Sequence, residues 1–273
     1  MPINQESPLS MVSLSFDDGR IDNYTIVLPV LRRLHLQATF NICTGYILKA
    51  KDCEAFTDTE PMTVEMVREI FTDKNMEIAS HGHRHEPYMQ DLSEGIDRLR
   101  QIVEAENLCN GYNGIAVPHN RLSHSEWEKL NAIMREKKVR YVRKSIRNGQ
   151  HGEWRSWCRK ISRLCPSTPL YLMAHAKTLM DDEKNGSLIY SVPVMASTPP
   201  RCVISLINMA IKKGKHLVLQ FHSIGDNPSG RDPLTYNAMS FDVIAYHLAK
   251  KQEKGDLKVV TTMEMAFHIC HYK

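Results

Sequence analysis

The chain has 273 residues, 42% of them hydrophobic and 24% charged, with a formal net charge of +4. That composition excludes a disordered chain and provides the length for one large α/β domain with a sizeable core. The positive charge is weak and forms no stripe, which argues against a nucleic-acid partner, and no apolar run approaches the ~18 residues of a membrane span.

Short β-rich runs alternate with stretches whose apolar residues recur at helical spacing. Met11–Phe16 reads as a strand that ends in a turn at Asp18-Gly19. Ile26, Val27, Val30, Leu31 and Leu34 mark a helix with Pro29 as a kink. Ala38–Cys43 is the next strand, and Met66, Val67, Ile70 and Phe71 mark a helix whose start Thr63 can cap. Met76–Ser80 is a third strand and runs straight into His81. Leu92, Ile96, Leu99, Ile102 and Val103 give a helix, then Gly114–Pro118 a strand. Ser123 with Glu126 has capping-box spacing and opens a helix through Trp127, Leu130, Ile133 and Met134, with a strand at Val139–Arg143 behind it.

From 145 to about 168 the pattern weakens and no element is predicted. Leu170–Ala174 then reads as a strand and Asp181–Gly186 as a polar turn. Val203, Ile204, Ile207, Ala210 and Ile211 give a helix stopped by Gly214. His216–Phe221 is an apolar strand of the buried parallel kind. Phe241, Ile244, Ala245 and Leu248 give a helix, and Leu257–Val260 a last strand. Strand–helix alternation of this kind predicts a parallel sheet closed as a barrel. The prediction is one domain, 1–273, with an insert-like segment at about 145–200.

Seven scattered cysteines without a CxxC pair argue for thiols in a reducing compartment, against a cysteine zinc knuckle or a thioredoxin-type site. Residues 1–10 carry neither the basic nor the apolar region of a signal peptide. The sequence therefore reads as cytoplasmic, or as extracellular or cell-envelope if a leader was removed before position 1.

Three motifs sit at the C-terminal ends of predicted strands: Ser15-Phe16-Asp17-Asp18-Gly19, Ser80-His81-Gly82-His83-Arg84-His85 and Gln220-Phe221-His222-Ser223. Singly, each has a bland reading: a turn with a capping carboxylate, two surface histidines, a satisfied core histidine. In a parallel barrel, however, those strand ends meet at the face where active sites form. The i, i+4 spacing of His81 and His85 would put both imidazoles on one helical face, which suits a metal ion. His83 would share a face with them on a strand, but on the favoured turn-to-helix path it points away, exposed or behind the ligands.

Together the motifs resemble those of the polysaccharide deacetylase family, also called the NodB-homology or carbohydrate esterase 4 family. SFDDG at 15–19, the histidine pair at 81 and 85, and the apolar strand ending in His222 match its first, second and last motifs. Gly114-Ile115-Ala116-Val117-Pro118-His119-Asn120 resembles a divergent third motif, with Ala116 where many members carry arginine. Tyr141-Val142-Arg143 resembles an arginine-bearing strand found in a subgroup lacking that earlier arginine.

The resemblance implies a distorted (β/α) barrel and metal-dependent removal of acetyl groups, chiefly N-acetyl, from the amino sugars of a polysaccharide or glycoconjugate. Position by position it implies Asp18, His81 and His85 as ligands of one divalent metal ion, Asp17 as general base and His222 as general acid. It also implies His119 at the oxyanion position and makes Arg143 the orienter of Asp17. Zinc suits two histidines and a carboxylate best, while cobalt, nickel and iron also fit. His175 is a weaker rim candidate, and Trp154 and Trp157 either stack on a sugar ring or anchor their segment. The rivals are hydrolysis of a cyclic amide on the same barrel and a carbohydrate-binding barrel without turnover. Nothing in the sequence sets an oligomeric state.

Overall fold

Strands with an apolar outward face must be covered on that side, and helices between parallel strands supply the cover. The computed structural model describes residues 9–53, 59–122, 124–146, 157–158, 161, 167–181, 184–185, 187–226 and 232–271. Its strands are β1 (Ser10–Phe16), β2 (Ala38–Ile42), β3 (Met76–Ser80), β4 (Asn113–Ala116), β5 (Val139–Ser145) and β6 (Lys184–Asn185). They continue with β7 (Leu188–Pro193), β8 (Leu217–Phe221), β9 (Ser223–Gly225), β10 (Thr235–Asn237), β11 (Leu257–Val259) and β12 (Cys270–His271). The helices are α1 (Leu28–Arg33), α2 (Thr44–Ile47), α3 (Val64–Thr72), α4 (Met89–Val103) and α5 (His124–Glu136), then α6 (Thr168–His175), α7 (Pro200–Lys213), α8 (Ala238–Glu253) and α9 (Thr262–Ile269).

Seven parallel strands close the barrel in the order β1-β2-β3-β4-β5-β7-β8, with β8 returning to β1. The closure is distorted because β1 divides its second edge. Ser10–Val12 pair with β11, and Val12–Phe16 pair with β8. The outward faces of the strands are apolar: Phe16 stacks on Phe40 and Phe221 at 5.4 and 5.5 Å and meets Phe241 of α8 edge-on at 5.7 Å.

The inward faces carry the buried polar groups, beside a smaller apolar cluster that includes Met11, Ala79, Ile189 and Val218. Asn41 of β2 bonds Ser15 and Asp17, Thr39 bonds Glu77 of β3, and Tyr141 and Arg143 of β5 reach across to Glu77 and Asp17. Contacts between strands that are not neighbours require these side chains to fill the lumen. Period-2 alternation sends every second residue there.

Most predicted elements form within a residue or two of their expected bounds, and Thr63 accepts from Met66 N as a cap. Pro29 does not kink a helix. It lies in the first turn of α1, where no N–H is needed, and a π-helical segment, Asn23–Val27, precedes it. Leu170–Ala174 is helical rather than a strand, lying inside α6. Pro169 sits in that helix's first turn, and Tyr171, Ala174 and His175 bury one face at i, i+3 and i+4 spacing. The barrel strand of that region is β7, which was not predicted. The turn expected at 181–186 contains β6, which pairs with β12. Ser123, half of the capping box, lies outside the described residues, as do Trp154 and Cys165; none of the six described cysteines is in a disulfide. No described helix is long and apolar enough to cross a membrane.

Candidate active site

At the end of β1 the chain must aim two adjacent carboxylates in different directions. Asp17 stays in the ladder, its N–H donating to Phe221 O at 2.9 Å. Asp18 then takes φ +80° and Gly19 φ +79°. Aspartate tolerates that left-handed region better than most residues, at a cost of about 1–2 kcal/mol. The reversal separates the two side chains.

Asp17 is 1% exposed and held by three donors. The guanidinium of Arg143 and Asn41 Nδ2 (2.8 Å) donate to Oδ1, and Gln220 Nε2 donates to Oδ2 at 2.7 Å. Burial alone would raise its pKa, but the Arg143 charge, helped by His81 and His222, outweighs burial and holds Asp17 below the ordinary aspartate value. Ser145 and Ser191 both donate to Gln220 Oε1, so the amide cannot flip without losing both bonds.

Asp18 faces the histidine loop. Arg20 Nε donates to its Oδ2 at 3.0 Å, while Oδ1 is buried with no hydrogen-bond partner among the described residues. That oxygen lies 3.4 Å from His81 Nε2 and 3.4 Å from His85 Nε2, and the two nitrogens are 3.2 Å apart. Burial would raise Asp18, yet its closeness to the imidazoles of His81, His222 and His85 keeps it well below the usual value. Burial, then repulsion from His81, pushes His85 down to about 3. His81 Nδ1 is 2.9 Å from Ala116 O, a carbonyl that can only accept, which leaves the Nε2 lone pair for the centre.

Segment 81–85 is a loop, not a helical face, and α4 begins only at Met89. The two imidazoles converge through backbone reversals at Gly82 (φ +81°) and His85 (φ +63°). Asp91, in the first turn of α4, holds the loop by accepting the N–H groups of His83, Arg84 and Glu86. Gly95 is required beneath it, because a Cβ there would collide with the Gly82 backbone. His83 points away from Asp18, as the favoured reading had it, but it is 5% exposed rather than on the surface.

A divalent ion fits the triad of Asp18, His81 and His85. With bonds of ~2.1 Å in tetrahedral geometry, zinc separates its ligand atoms by about 3.4 Å, and the three observed separations are 3.2–3.4 Å. The orphaned Oδ1 is the strongest sign, since a buried carboxylate oxygen is otherwise costly to leave unpaired.

His222 follows β8, its carbonyl accepting from Asn23 Nδ2 at 2.8 Å and its Nε2 3.9 Å from Asp17 Oδ2. Its Nδ1 is buried and has no hydrogen-bond partner among the described residues. His119 is exposed at the rim, in a turn with φ +52°, its ring centroid 4.5 Å from that of His85. All these groups open onto a cleft of about 610 Å³, to which α6 contributes Tyr171 and His175. His175 thus reaches the rim from a helix and not from a strand end. Trp157 is exposed and lines no part of this cleft.

Sequence reading missed Arg20, Asn41, Gln220, Ser145 and Ser191. Asn41 and Gln220 carried a usable signal, each being a polar residue in a buried strand that needs a partner.

The polysaccharide deacetylase family model matches residues 4–142. A Mycobacterium smegmatis protein assigned to the polysaccharide deacetylases superposes with a TM-score of 0.55 at 15% identity, covering 97% of this chain and 91% of that one. A carbohydrate esterase 4 family pseudoenzyme from Bacillus anthracis superposes at 0.51 with 11% identity, covering 98% and 71%. The Streptococcus pyogenes deacetylase PplD, at 0.40 and 19% identity, is matched over 54% of this chain and 59% of its own length. The first two likenesses are of fold. No curated protein matches the chain.

Proposed function

The chain belongs to the polysaccharide deacetylase family, a family of carbohydrate deacetylases, and from that premise we propose that it is a metal-dependent hydrolase removing N-acetyl groups from amino sugars of a polysaccharide or glycoconjugate. The observation that carries the reading is the unpartnered Asp18 Oδ1 facing two imidazole nitrogens beside a second carboxylate clamped by arginine. We take 1–273 as one such domain, since β1 is completed by β8 and β11 from the far end of the sequence.

Asp18, His81 and His85 would hold one divalent ion, zinc by donor chemistry, with cobalt, nickel or iron as alternatives. Such an ion, when bound, polarises the acetyl carbonyl and lowers the pKa of water. Asp17 is the base: Arg143 keeps it ionised, Asn41 and Gln220 fix its plane, and Oδ2 retains a lone pair for the attacking water's proton. His222 Nε2, at 3.9 Å from that oxygen, is the group that returns a proton to the departing amine nitrogen. His119, at the rim beside His85, is placed to meet the acetyl oxygen or the sugar.

A binding barrel without turnover is the second reading. It is favoured by His222 Nδ1, which is buried and makes no hydrogen bond among the described residues to orient the ring. Acetate release from N-acetylated glycan oligomers separates the two. Release that stops on chelation and returns with zinc is expected; turnover by protein verified to be metal-free, or glycan binding with no release under zinc, overturns the proposal.

A further inference from the structure

The loop that carries His81 and His85 has a second face, which the proposed chemistry does not use. There the His83 ring is 5% exposed, with Nδ1 2.9 Å from Thr44 Oγ1. That contact holds the ring through Nδ1 and leaves Nε2 as its other nitrogen donor. Cys53 Sγ, a carboxylate oxygen of Asp52 and a His83 ring nitrogen lie within 4.8 Å of one another. Glu94 Oε1 is 3.8 Å from the same Nε2. The thiol reaches this position by packing on Gly45, where a Cβ would overlap both the sulfur and the His83 carbonyl oxygen.

A buried imidazole, a thiol and a carboxylate from two separate loops form a mixed sulfur–nitrogen–oxygen donor set of the kind that binds borderline-soft cations. The Thr44 hydroxyl stands behind the imidazole as an outer partner does at such sites. The charges agree. Asp52, Asp91 and Glu94 face Arg84 and Arg98, so a thiolate added to this group leaves two negative charges for a divalent ion to neutralise.

We propose that Cys53, His83 and Asp52, with Glu94 within reach, form a second divalent-cation site, for a thiophilic ion such as zinc, cobalt(II) or cadmium, on the back of the catalytic loop. Binding forms a sulfur–metal bond and releases the Cys53 thiol proton to solvent. The site clips the loop at 52–53 to the one at 83, bracing the turn between the two histidines that face Asp18.

The two sites have distinguishable spectra, because only one contains sulfur. The full chain is stripped with chelator under reducing conditions and titrated with cobalt(II). The expected result is two equivalents bound, with a near-ultraviolet sulfur-to-cobalt charge-transfer band. Cys53→Ser should lose the band and one equivalent, while Asp18→Asn should lose the other equivalent and keep the band. Cys43→Ser, altering the neighbouring thiol, should keep both. A wild-type protein that binds cobalt without the band, or a band that survives in Cys53→Ser, overturns the proposal. One equivalent with the band present leaves this site standing and removes the one at Asp18. If Cys53→Ser does not fold, zinc protection of Cys53 from iodoacetamide, read by peptide mass spectrometry on wild-type protein, decides: slowed alkylation supports the site, and equal alkylation overturns it.

Discussion

The mouth and the floor of the barrel each hold a fully buried carboxylate that accepts three hydrogen bonds, yet the two carboxyls move in opposite directions. At the mouth, Asp17 accepts from Arg143, Asn41 and Gln220 and is held below its ordinary value. At the floor, Glu77 accepts from Tyr141 Oη (2.7 Å), Thr39 Oγ1 (2.7 Å) and Met263 N in the first turn of α9 (2.9 Å). Burial pushes Glu77 up to about 7 in spite of those bonds. The difference is the cation. Neutral donors offset only part of the desolvation of a carboxylate, whereas a guanidinium in contact supplies a full opposite charge. One strand makes both choices: Tyr141 and Arg143, two positions apart on the inward face of β5, serve the floor and the mouth respectively.

The largest effect is expected at the mouth. Asp17→Asn should reduce acetate release by about 10²–10⁴-fold, the usual contribution of a general base, while metal analysis finds the ion retained. Glu77→Gln should leave turnover near wild type. Equal losses from the two would erase the functional distinction.

Next in size is the ion pair itself. Arg143→Met leaves a buried carboxylate without its cation and should cost about 3–5 kcal/mol in urea unfolding.

At the floor the expected effect is a pH dependence. Burial raises the folded pKa of Glu77 to about 7 from its ordinary 4.5, so folding favours its protonated form. Stability from this group is complete below the unfolded value and is lost as pH rises from about 4.5 through 7, by on the order of 3 kcal/mol. Glu77→Gln should remove that decline, so the variant gains on wild type between pH 5 and pH 8, as thermal unfolding at the two values will show. A variant with the same pH slope as wild type means that Glu77 stays ionised.

The smallest change is Tyr141→Phe, which removes one neutral hydrogen bond from Glu77 and should cost about 1 kcal/mol, with no effect on metal content.

The outward face of this barrel was legible in the sequence because its strands are short apolar runs between helical periods. The lumen was not. Ala38–Cys43 reads simply as a strand and His216–Phe221 as a near-continuous apolar one, yet Asn41 and Gln220 sit at inward positions and converge on Asp17. Their partners are contributed by strands remote in sequence, so no local window displays them. The histidine pair was identified through a helical spacing that the loop does not have, since positive φ at Gly82 and His85 achieves the same convergence. Segment 145–200 yielded least. There α6 is apolar along most of its length, which hides its helical period, and β7 is a barrel strand not predicted from its sequence.

The split edge of β1 has a consequence for how this protein reaches its native state. Ser13 of β1 meets Thr262 across 249 positions of chain, and both strands that complete β1 lie beyond position 216. Closing such a long loop is entropically slow, so a strand near the start of the chain waits with unpaired amides until remote segments arrive. Early collapse therefore leaves a sticky edge exposed, and the protein should depend on dilution or chaperoning during refolding more than its final architecture suggests.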